Sequence, residues 1–449
     1  MKGFTQVYGV DFYKTYAPVA KLASFRLILA LAARNGWPIS SFDFISAYLT
    51  TPLRDEVIYI EQPPEYEEKP RAKWVCQLIK TIYGLRQGAK NWYDTLCEAM
   101  AKLGFRRAEA DHGVFYKEEK GELVIMAVHV DDCIITGSSE QLVEKSKKEL
   151  NDLHSLTDLG PAHWLLGFKI TRNLTERTLA LSQHSYIDSI LTRFNFNDLK
   201  PSSIPIDPNT PLSTTQCPTK LEDIAKMRNV PYREAVGSLM YAAMGTRPDI
   251  AFAVSTVSQF SHNPGWVHWE AVKRIFRYLL GTKDLELVYG GEKRGLVGYT
   301  DADGASQEHR RAISGYVFLI DGGAVSWSSK KQELVTLSTT EAEYVAATHA
   351  AKEAMWLRRL ITEIYGPPDD PTTLFGDNQS AIALTKDGHY HARTKHIDIR
   401  YHYIRYVVEA GSIKLIYCPT HEMTADVLTK ALPSAKAKHF ASALGLATV

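Results

Sequence analysis

Cysteine is scarce in this sequence, and its five cysteines are scattered along 449 residues without a CxxC pair. A disulfide framework or a cysteine-based zinc site needs paired cysteines, so the sequence argues against both and favours a reducing compartment. The sequence also shows no signal peptide and no uninterrupted apolar run near transmembrane length. We therefore expect a protein of the cytoplasm or nucleus that is neither secreted nor membrane-bound.

An excess of one charge is also missing, because the formal net charge is only +1 at pH 7. Any surface that binds nucleic acid must therefore be a local basic patch. The chain is 45% hydrophobic and, at 449 residues, too long for one core, so we expect two or three domains. A segment rich in Pro, Ser and Thr at residues 201–219 has the composition of a linker and predicts a boundary there.

Two adjacent acids interrupt an apolar stretch, LVIMAVHVDDCIITG, at residues 123–137. This pattern predicts a hairpin with Asp131 and Asp132 at its tip, and a plain surface turn is the alternative. A third acid, Asp43, lies in the strand-like run ISSFDFI, where a carboxylate is costly to bury unless it is paired or holds a cation. Side by side, the two strands would gather three carboxylates, the ligands that Mg²⁺ prefers, in the layout of two-metal phosphoryl transfer.

A glycine-flanked turn followed by an amphipathic helix at residues 83–103 suits a sugar-phosphate chain with bases. Its hydrogen-bond donors and stacking face are Arg86, Gln87, Lys90 and Trp92. An ordinary surface helix is the alternative. A helix predicted over residues 266–280 carries a cationic face with Lys273 and Arg277, and simple solvation is the alternative there.

From about residue 296 the sequence predicts a strand ending in acids, a hairpin, a third strand at 333–337, a long helix and a strand-to-helix junction at Asp377. Residues 418–426 are predicted to open the last helix. Acids at strand ends and helix starts are typical of an α/β layout. Four histidines, at 389, 391, 396 and 402, raise a zinc site as an alternative, but we favour contacts of the neighbouring Arg393 and Lys395 with a nucleic-acid backbone.

Five motifs follow one another along the chain: SFDFISAYL, EQPPEY, YGLRQGAKNWYDTL, HVDD and LGPAHWLLGFKI. In this order and spacing they resemble the reverse transcriptase of Ty/copia-type retrotransposons, and the last segment resembles the ribonuclease H domain that follows it in these elements. The resemblance implies a multidomain α/β and α+β fold, a right-hand polymerase with palm, fingers and thumb followed by a ribonuclease H-like α/β domain. Its parts would be fingers and palm with the start of the thumb (1–200), linker and helical thumb or connection (201–290), and the ribonuclease H-like domain (291–449).

The resemblance also assigns roles to individual residues. Two Mg²⁺ ions, or Mn²⁺, would bind at each of two acid groups: Asp43, Asp131 and Asp132 in the palm, and Asp301, Glu343, Asp377 and Asp426 in the ribonuclease H-like domain. Asp398 is the alternative to Asp426, and Glu341 the less favoured neighbour of Glu343. Tyr48 would clash with a ribose 2′-hydroxyl and so favour dNTPs, Gln87 would lie near the incoming nucleotide, and the hairpin from Trp164 to Gly167 would grip the primer end. The helix with Lys273 and Arg277 would guide the duplex.

The implied activity is RNA-directed DNA synthesis from dNTPs on an RNA template and a DNA primer, followed by cleavage of the RNA strand of the RNA–DNA hybrid. A virus-like particle in the cytoplasm, or the nucleus, would be its location. Two departures from the family are present: His129 stands where Tyr is usual, and the basic strand K-x-R-L-V-A that normally precedes KGFTQ is not in the sequence. A folded, nucleic-acid-binding relic without polymerase activity is therefore the alternative expectation.

Overall fold

Two units make up the chain, one formed by Met1–Phe25 with Trp37–Ala162 and the other by Arg26–Gly36 with His163–Val449. The computed structural model describes residues 2–54, 56–66, 74–291, 294–304, 311–386 and 403–449. The first long helix, Leu22–Asn35 (α1), begins in the first unit and continues into the second. The predicted division at residues 200 and 290 stays a prediction. Among the described residues, no helix combines the length and the apolar character needed to span a membrane.

The first unit is organised on a six-stranded antiparallel sheet with the order β4-β5-β6-β7-β1-β8. Its strands are Ile39–Phe44 (β1), Arg106–Arg107 (β4), Val114–Glu119 (β5), Glu122–His129 (β6), Asp132–Gly137 (β7) and Leu156–Pro161 (β8). A separate two-stranded sheet pairs Tyr59–Glu61 (β2) with Val75–Gln77 (β3). The predicted acid-tipped hairpin is β6–β7.

The helices that lie wholly in the first unit are Ala47–Thr50 (α2), Gly88–Lys102 (α3) and Glu140–Leu153 (α4), with a short 3-10 helix at Gly3–Thr5. Helices α3 and α4 pack on one face of the six-stranded sheet. Every second residue of β6 faces the shared core through Val124, Met126 and Val128, as a strand with period two requires. Trp92 of α3 and Leu142 of α4 pack against them in the same core. This packing fixes the register of the strands that carry the acids.

The second unit contains two five-stranded sheets. One has the order β18-β12-β11-β10-β9, with Trp164–Leu165 (β9), Phe168–Asn173 (β10), Thr178–Ser182 (β11), Glu286–Gly290 (β12) and Leu446–Ala447 (β18). The other has the order β15-β14-β13-β16-β17, with Val297–Asp303 (β13), Ile313–Ile320 (β14), Gly323–Lys331 (β15), Thr372–Gly376 (β16) and Ile413–Tyr417 (β17). In the latter, β13, β14 and β15 are antiparallel, while β13, β16 and β17 run parallel.

Helices complete the second unit. They are His184–Arg193 (α5), Leu221–Arg228 (α6), Tyr232–Gly245 (α7), Ala251–Ser258 (α8), Trp266–Gly281 (α9), Thr339–Tyr365 (α10), Gln379–Lys386 (α11), Tyr403–Glu409 (α12) and Ser434–Ala443 (α13), with 3-10 helices at Thr214–Gln216, Pro248–Ile250 and Thr424–Leu428. The Pro-rich segment predicted as a linker packs along α9, because Asp207 pairs with Arg274 at 2.9 Å and Ile206 is buried in the helical core. Composition alone did not predict these contacts.

The predicted third strand at residues 333–337 is wrong. The antiparallel hairpin partner of β14 is β15, which ends at Lys331, and the residues that follow prepare the start of α10. The backbone N–H of Leu337 donates to the Glu341 carboxylate at 2.7 Å, and the Glu341 N–H donates to Ser338 Oγ at 3.2 Å. This reciprocal capping satisfies N–H groups that the helix itself leaves without acceptors, so the segment serves the helix and not the sheet.

The last helix also begins later than predicted. Asp426 lies in the 3-10 helix Thr424–Leu428, and the last α-helix starts only at Ser434, directly after Pro433. Proline fits the start of a helix but not its interior, which explains why α13 begins there. The residues between the two helices are used in the acid cluster described below.

Two arginines of α1, Arg26 and Arg34, make hydrogen bonds within the second unit. Arg26 is buried, and its guanidinium donates to the carbonyl oxygens of Val325, Met244 and Gly245 at 2.8–2.9 Å. It also stacks on Trp327, with 4.0 Å between the guanidinium carbon and the ring centroid. Arg34 makes a bidentate pair with Asp321, both contacts at 2.7 Å. Burial lowers the pKa of Arg26 to about 10, so the side chain remains charged at neutral pH.

We expect Arg26→Met to lower the free energy of unfolding by about 3 kcal/mol, because three buried carbonyl oxygens lose a charged donor. Urea denaturation followed by circular dichroism measures the loss. The matched control is Arg193→Met on α5, whose side chain is 60% exposed and lies 3.9 Å from Glu234; we expect a change below about 0.5 kcal/mol there. Equal losses in the two variants would contradict the anchoring role.

Candidate functional site

The acid-tipped hairpin has a strained turn. Val130 and Asp131 are the two residues between β6 and β7, and Val130 has a φ of 62°. Positive φ at the first turn residue is what a type II′ hairpin turn requires, but it is unfavourable for a β-branched side chain. Such strain is found where the surrounding structure enforces it, often at functional sites. The turn therefore marks Asp131 as a candidate on grounds independent of its charge.

Asp43 lies directly beside this turn. The register of β1 with β7 pairs Asp43 with Asp132, and His129 with Asp132 on the other side. Burial raises the pKa of Asp131, and the charges of Asp43 and Asp132 raise it further. Burial and Asp43 likewise raise the pKa of Asp132, against an opposing effect of His129. The structure thus brings together the three acids predicted from sequence.

A cation would fit this acid group. The Asp131 Oδ1 atom is buried and has no hydrogen-bond partner in the described part of the chain. A buried carboxylate oxygen without a donor is unfavourable, and a cation satisfies it. Oxygen-only ligands favour hard ions such as Mg²⁺ or Mn²⁺. Asp43, Asp131 and Asp132 are the residues that would hold such ions.

Tyr48 and Gln87 occupy different environments near these acids. Tyr48, on α2, has a pKa raised by burial and then by the charge of Asp131, and its ring packs edge-on against Tyr83 with centroids 5.0 Å apart. Gln87 is 1% exposed, and its amide accepts from Gln6 and donates to the carbonyl of Asp11. Tyr48 is therefore close to the acids, whereas the Gln87 amide is already engaged within the unit.

Three other residues of the predicted nucleic-acid face make contacts within the protein. Trp92 is 3% exposed in the core, with its ring 4.8 Å from Phe44, which corrects the expected stacking role because no ring face remains for a base. Arg86 donates to the carbonyl of Gly3 at 2.8 Å, and Lys90 pairs with Asp94 one helical turn away. The amphipathic pattern of a helix shows which side chains face outward, but it does not distinguish contacts within the protein from contacts with a ligand.

The second group of acids gathers at one end of the β13–β16 sheet. Asp301 is on β13, and Asp377 follows the parallel neighbour β16, so the topology places both at the carboxyl ends of adjacent strands. Oxygens of Asp301, Asp377 and Asp426 lie within 4.8 Å of one another. Among the described residues, these three carboxylates of the predicted group come that close together, and those of Asp43, Asp131 and Asp132 do not. The 3-10 helix that carries Asp426 packs close to β14 at Gly315, where a Cβ would lie only 2.6 Å from the Thr429 methyl.

Burial and mutual repulsion dominate the electrostatics of this cluster. Burial raises the pKa of Asp301 to about 6, against the opposing charge of Lys430. Burial raises the pKa of Glu343 to about 10, and the charges of Asp301 and Asp377 add to that shift. Glu343 on α10 therefore belongs to the same cluster, whereas Glu341 caps the helix. Burial also raises the pKa of Asp426, and a divalent cation beside these buried carboxyl groups would favour their ionised forms.

Two residues of this cluster were not anticipated from the sequence. The Thr429 hydroxyl donates to Asp301 Oδ2, and Lys430 Nζ lies 3.0 Å from Asp426 Oδ1 and 3.4 Å from Asp301 Oδ2. Lys436 is more distant, at 3.9 Å from Asp426 Oδ2. The spacing of four between Asp426 and Lys430 is a recognisable pairing signal for helical segments, and it was available in the sequence.

The remaining predicted contacts with nucleic acid are distributed over the second unit. Trp164 is 52% exposed, and the turn after it has positive φ at both Leu166 and Gly167, as a type I′ hairpin needs. Lys273 pairs with Glu270 at 2.5 Å, and Arg277 donates to the Lys200 carbonyl at 2.6 Å. Their assignments to primer and duplex remain predictions. The candidates that lie outside the described residues are Arg393, Lys395, Asp398 and the histidines at 389, 391, 396 and 402.

Comparison with known proteins supplies the context for these two sites. A family model described as reverse transcriptase (RNA-dependent DNA polymerase) matches residues 1–208. The Pol polyprotein of transposon TNT 1-94 from Nicotiana tabacum is 45% identical over 97% of this chain, which spans only 33% of that polyprotein. A transposon Ty5-1 protein of Saccharomyces cerevisiae is 33% identical over 69% of this chain and 99% of its own length.

A solved structure also matches most of the chain. The foamy viral protease-reverse transcriptase in complex with RNA/DNA hybrid aligns at 13% identity and a TM-score of 0.48, covering 87% of this chain and 45% of that one. The sequence relatives and the matching family model decide the assignment. The chain therefore belongs to the reverse transcriptase family of Ty/copia-type transposon Pol polyproteins.

Proposed function

We propose that the chain is an RNA-directed DNA polymerase with ribonuclease H activity from a copia-type retrotransposon. One observation carries this proposal: acids far apart in the sequence meet in two separate groups. Asp43 pairs with Asp132 across β1 and β7 in the first unit, and Asp301 meets Asp377 and Asp426 in the second. Substrates would be dNTPs, a DNA primer on an RNA template, and the RNA–DNA hybrid. We place this activity in the cytoplasm, within virus-like particles, or in the nucleus.

In the first unit, Asp43, Asp131 and Asp132 would hold two Mg²⁺ ions, or Mn²⁺. When bound, these ions lower the pKa of the primer 3′-hydroxyl and stabilise the charge on the triphosphate and on the leaving pyrophosphate. The carboxylates contribute position, because the paired strands and the strained turn hold them in a fixed register. Tyr48 would line the sugar pocket beside Asp131.

In the second unit, carboxylates would likewise position the ions that support cleavage. Asp301, Glu343, Asp377 and Asp426 would hold two divalent cations that activate a water molecule and stabilise the leaving 3′-oxygen of the RNA. Thr429 orients the Asp301 carboxylate by donating to Oδ2, and Thr420 orients Asp377 by donating to Oδ2 at 3.1 Å. These hydrogen bonds from neighbouring hydroxyls hold the ligand oxygens in place as outer-shell contacts do at metal sites.

Both activities can be measured on the full chain. Extension of oligo(dT) on poly(rA) with dTTP tests the polymerase, and release of fragments from an RNA-labelled hybrid tests the ribonuclease H. We expect both with Mg²⁺ and neither after EDTA. Cleavage without extension would leave only the second site functional. Absence of both, together with no salt-sensitive binding to hybrid, would refute the proposal and favour a structural module.

Tyr48 provides a test of nucleotide selection. We expect Tyr48→Val to increase incorporation of rNTPs relative to dNTPs by about 100-fold, because a smaller side chain removes the clash with the 2′-hydroxyl. Single-nucleotide extension with dTTP and UTP measures the ratio. Tyr83→Val is the matched control, since Tyr83 packs on Tyr48 from a 53% exposed position. A similar change of the ratio in both variants would assign the effect to lost packing and not to Tyr48 itself.

A further inference from the structure

A cation of the chain itself lies within the ribonuclease H-like acid cluster. Lys430 Nζ is 3.0 Å from Asp426 Oδ1 and 3.4 Å from Asp301 Oδ2, two carboxylates that also belong to the candidate metal site. We propose that Lys430 holds the position of one of the two divalent cations while no substrate is bound, so that the free site binds a single cation tightly. This inference rests on the proposed function of the cluster.

The backbone around Lys430 explains why the ammonium reaches both acids. Lys430 follows the 3-10 helix Thr424–Leu428, and its N–H donates to the Asp426 carbonyl at 3.1 Å. The preceding residue, Thr429, donates its hydroxyl to Asp301 Oδ2. One short segment therefore contacts Asp301 and Asp426 through consecutive side chains. The placement is specific, because Lys436 on α13 approaches only the other oxygen of Asp426, at 3.9 Å.

A cation at this position offsets the negative charge of buried acids. Asp301 and Asp426 are each 1% exposed, and Glu343 is 8% exposed beside them. Buried like charges repel strongly, and an ammonium within 3.5 Å offsets part of that repulsion. A divalent ion that binds the same two oxygens must displace the ammonium, because the two cations would repel each other at that separation. Lys430 and the second metal ion are therefore alternatives for one place.

The displaced side chain has space beside the cluster. A cleft of about 350 Å³ lies next to the site, and Lys430 forms part of its lining. The other lining residues include Asp207, Thr210, Thr256, Gln259 and Asp303. These polar groups provide surroundings in which an ammonium stays solvated. Lys430 can thus leave the acids by side-chain rotation without a change in the fold.

Mn²⁺ binding without substrate tests the inference. The protein is the full chain with Asp131→Asn and Asp132→Asn, so that the polymerase acids do not contribute, and free Mn²⁺ is followed by electron paramagnetic resonance. We expect one tightly bound Mn²⁺ in this background, and Lys430→Met to tighten binding of a second by about ten-fold. Lys430→Gln should behave like Lys430→Met, and Lys430→Arg, which keeps the charge, should resemble the background.

Controls separate this inference from the proposed function. Lys436→Met removes the same charge near Asp426 without freeing the shared place, so the second Mn²⁺ should bind less than about two-fold tighter. Asp301→Asn should weaken Mn²⁺ binding in every background. Suppose that Asp301→Asn weakens Mn²⁺ binding. The inference is then wrong, and the metal site remains, if Lys430→Met and Lys430→Gln bind Mn²⁺ like the background. The same holds if Lys436→Met tightens the second Mn²⁺ as much as Lys430→Met. If Asp301→Asn changes nothing, the proposed cleavage site and the inference both fail.

Discussion

Asp301→Asn is expected to reduce cleavage of the RNA strand of a hybrid by about 10³-fold or more, while primer extension stays within about two-fold of the unchanged chain. The carboxylate lies at the centre of the second acid cluster, with its oxygens within 4.8 Å of those of Asp377 and Asp426. An amide has one neutral oxygen where the carboxylate has two charged ones, so the site loses a ligand charge and geometry together. Gel analysis of labelled hybrid and of extended primer measures both rates.

The control for this variant is an exposed aspartate of the same unit that is not one of the four cluster acids. Asp369 meets this description, in the loop before β16. We expect Asp369→Asn to leave both rates within about two-fold. If Asp301→Asn cleaves hybrid at the unchanged rate, the metal-site assignment of the cluster is wrong, and loss of both activities would indicate a folding defect.

The thermal stability of Asp301→Asn in metal-free buffer provides a second test of the Asp301 environment. Burial raises the folded-state pKa of Asp301 to about 6, so the ionised side chain is destabilised by folding. The native state then binds more protons than the unfolded state between pH 4 and 6, and stability falls as the pH rises through that window. We expect Asp301→Asn to melt at a higher temperature than the unchanged chain at pH 8 in EDTA, with little difference at pH 4.

Local pattern was sufficient to predict the elements that carry the acids. The apolar runs around Asp131 and Asp132 predicted a hairpin, and the apolar run around Asp43 predicted a strand. Both predictions match β1, β6 and β7. The expected burial of the Asp43 carboxylate is wrong, because Asp43 is the exposed residue of β1. The pairing of Asp43 with Asp132 needed more than pattern, because strand neighbours in a sheet are set by the topology of the whole unit. Resemblance to a known family supplied that information.

Contacts between segments far apart in sequence were beyond prediction. Nothing local distinguishes the buried Trp92 from a stacking residue, since both uses need a large aromatic side chain on a helix. Arg26 likewise contacts residues about 220 and 300 positions away. Lys430 is a partial exception, because its spacing of four from Asp426 was visible in the sequence whereas its contact with Asp301 was not. The sequence predicted the acids of this cluster, and the structure places Lys430 beside two of them.

Asp131→Asn is expected to give the reciprocal result: primer extension falls by about 10³-fold or more, and hybrid cleavage stays within about two-fold. Asp131 is the most informative of the three acids, because its Oδ1 is buried without a hydrogen-bond partner in the described part of the chain. An oxygen in that position costs stability unless a cation satisfies it. Extension of oligo(dT) on poly(rA), beside cleavage of labelled hybrid, measures the two rates in the same preparation.

The exposed Asp152 of α4 provides the matched control in the first unit, and Asp152→Asn should leave both rates unchanged. Affinity for primer-template should also survive in Asp131→Asn, because removing a negative charge does not weaken contacts with phosphates. A variant that binds, cleaves and does not extend would show that the strained turn serves chemistry and not binding. Extension at the unchanged rate would contradict the assignment of Asp131 even if Asp301→Asn behaved as expected, since the two acid groups are built from different residues and each must pass its own test.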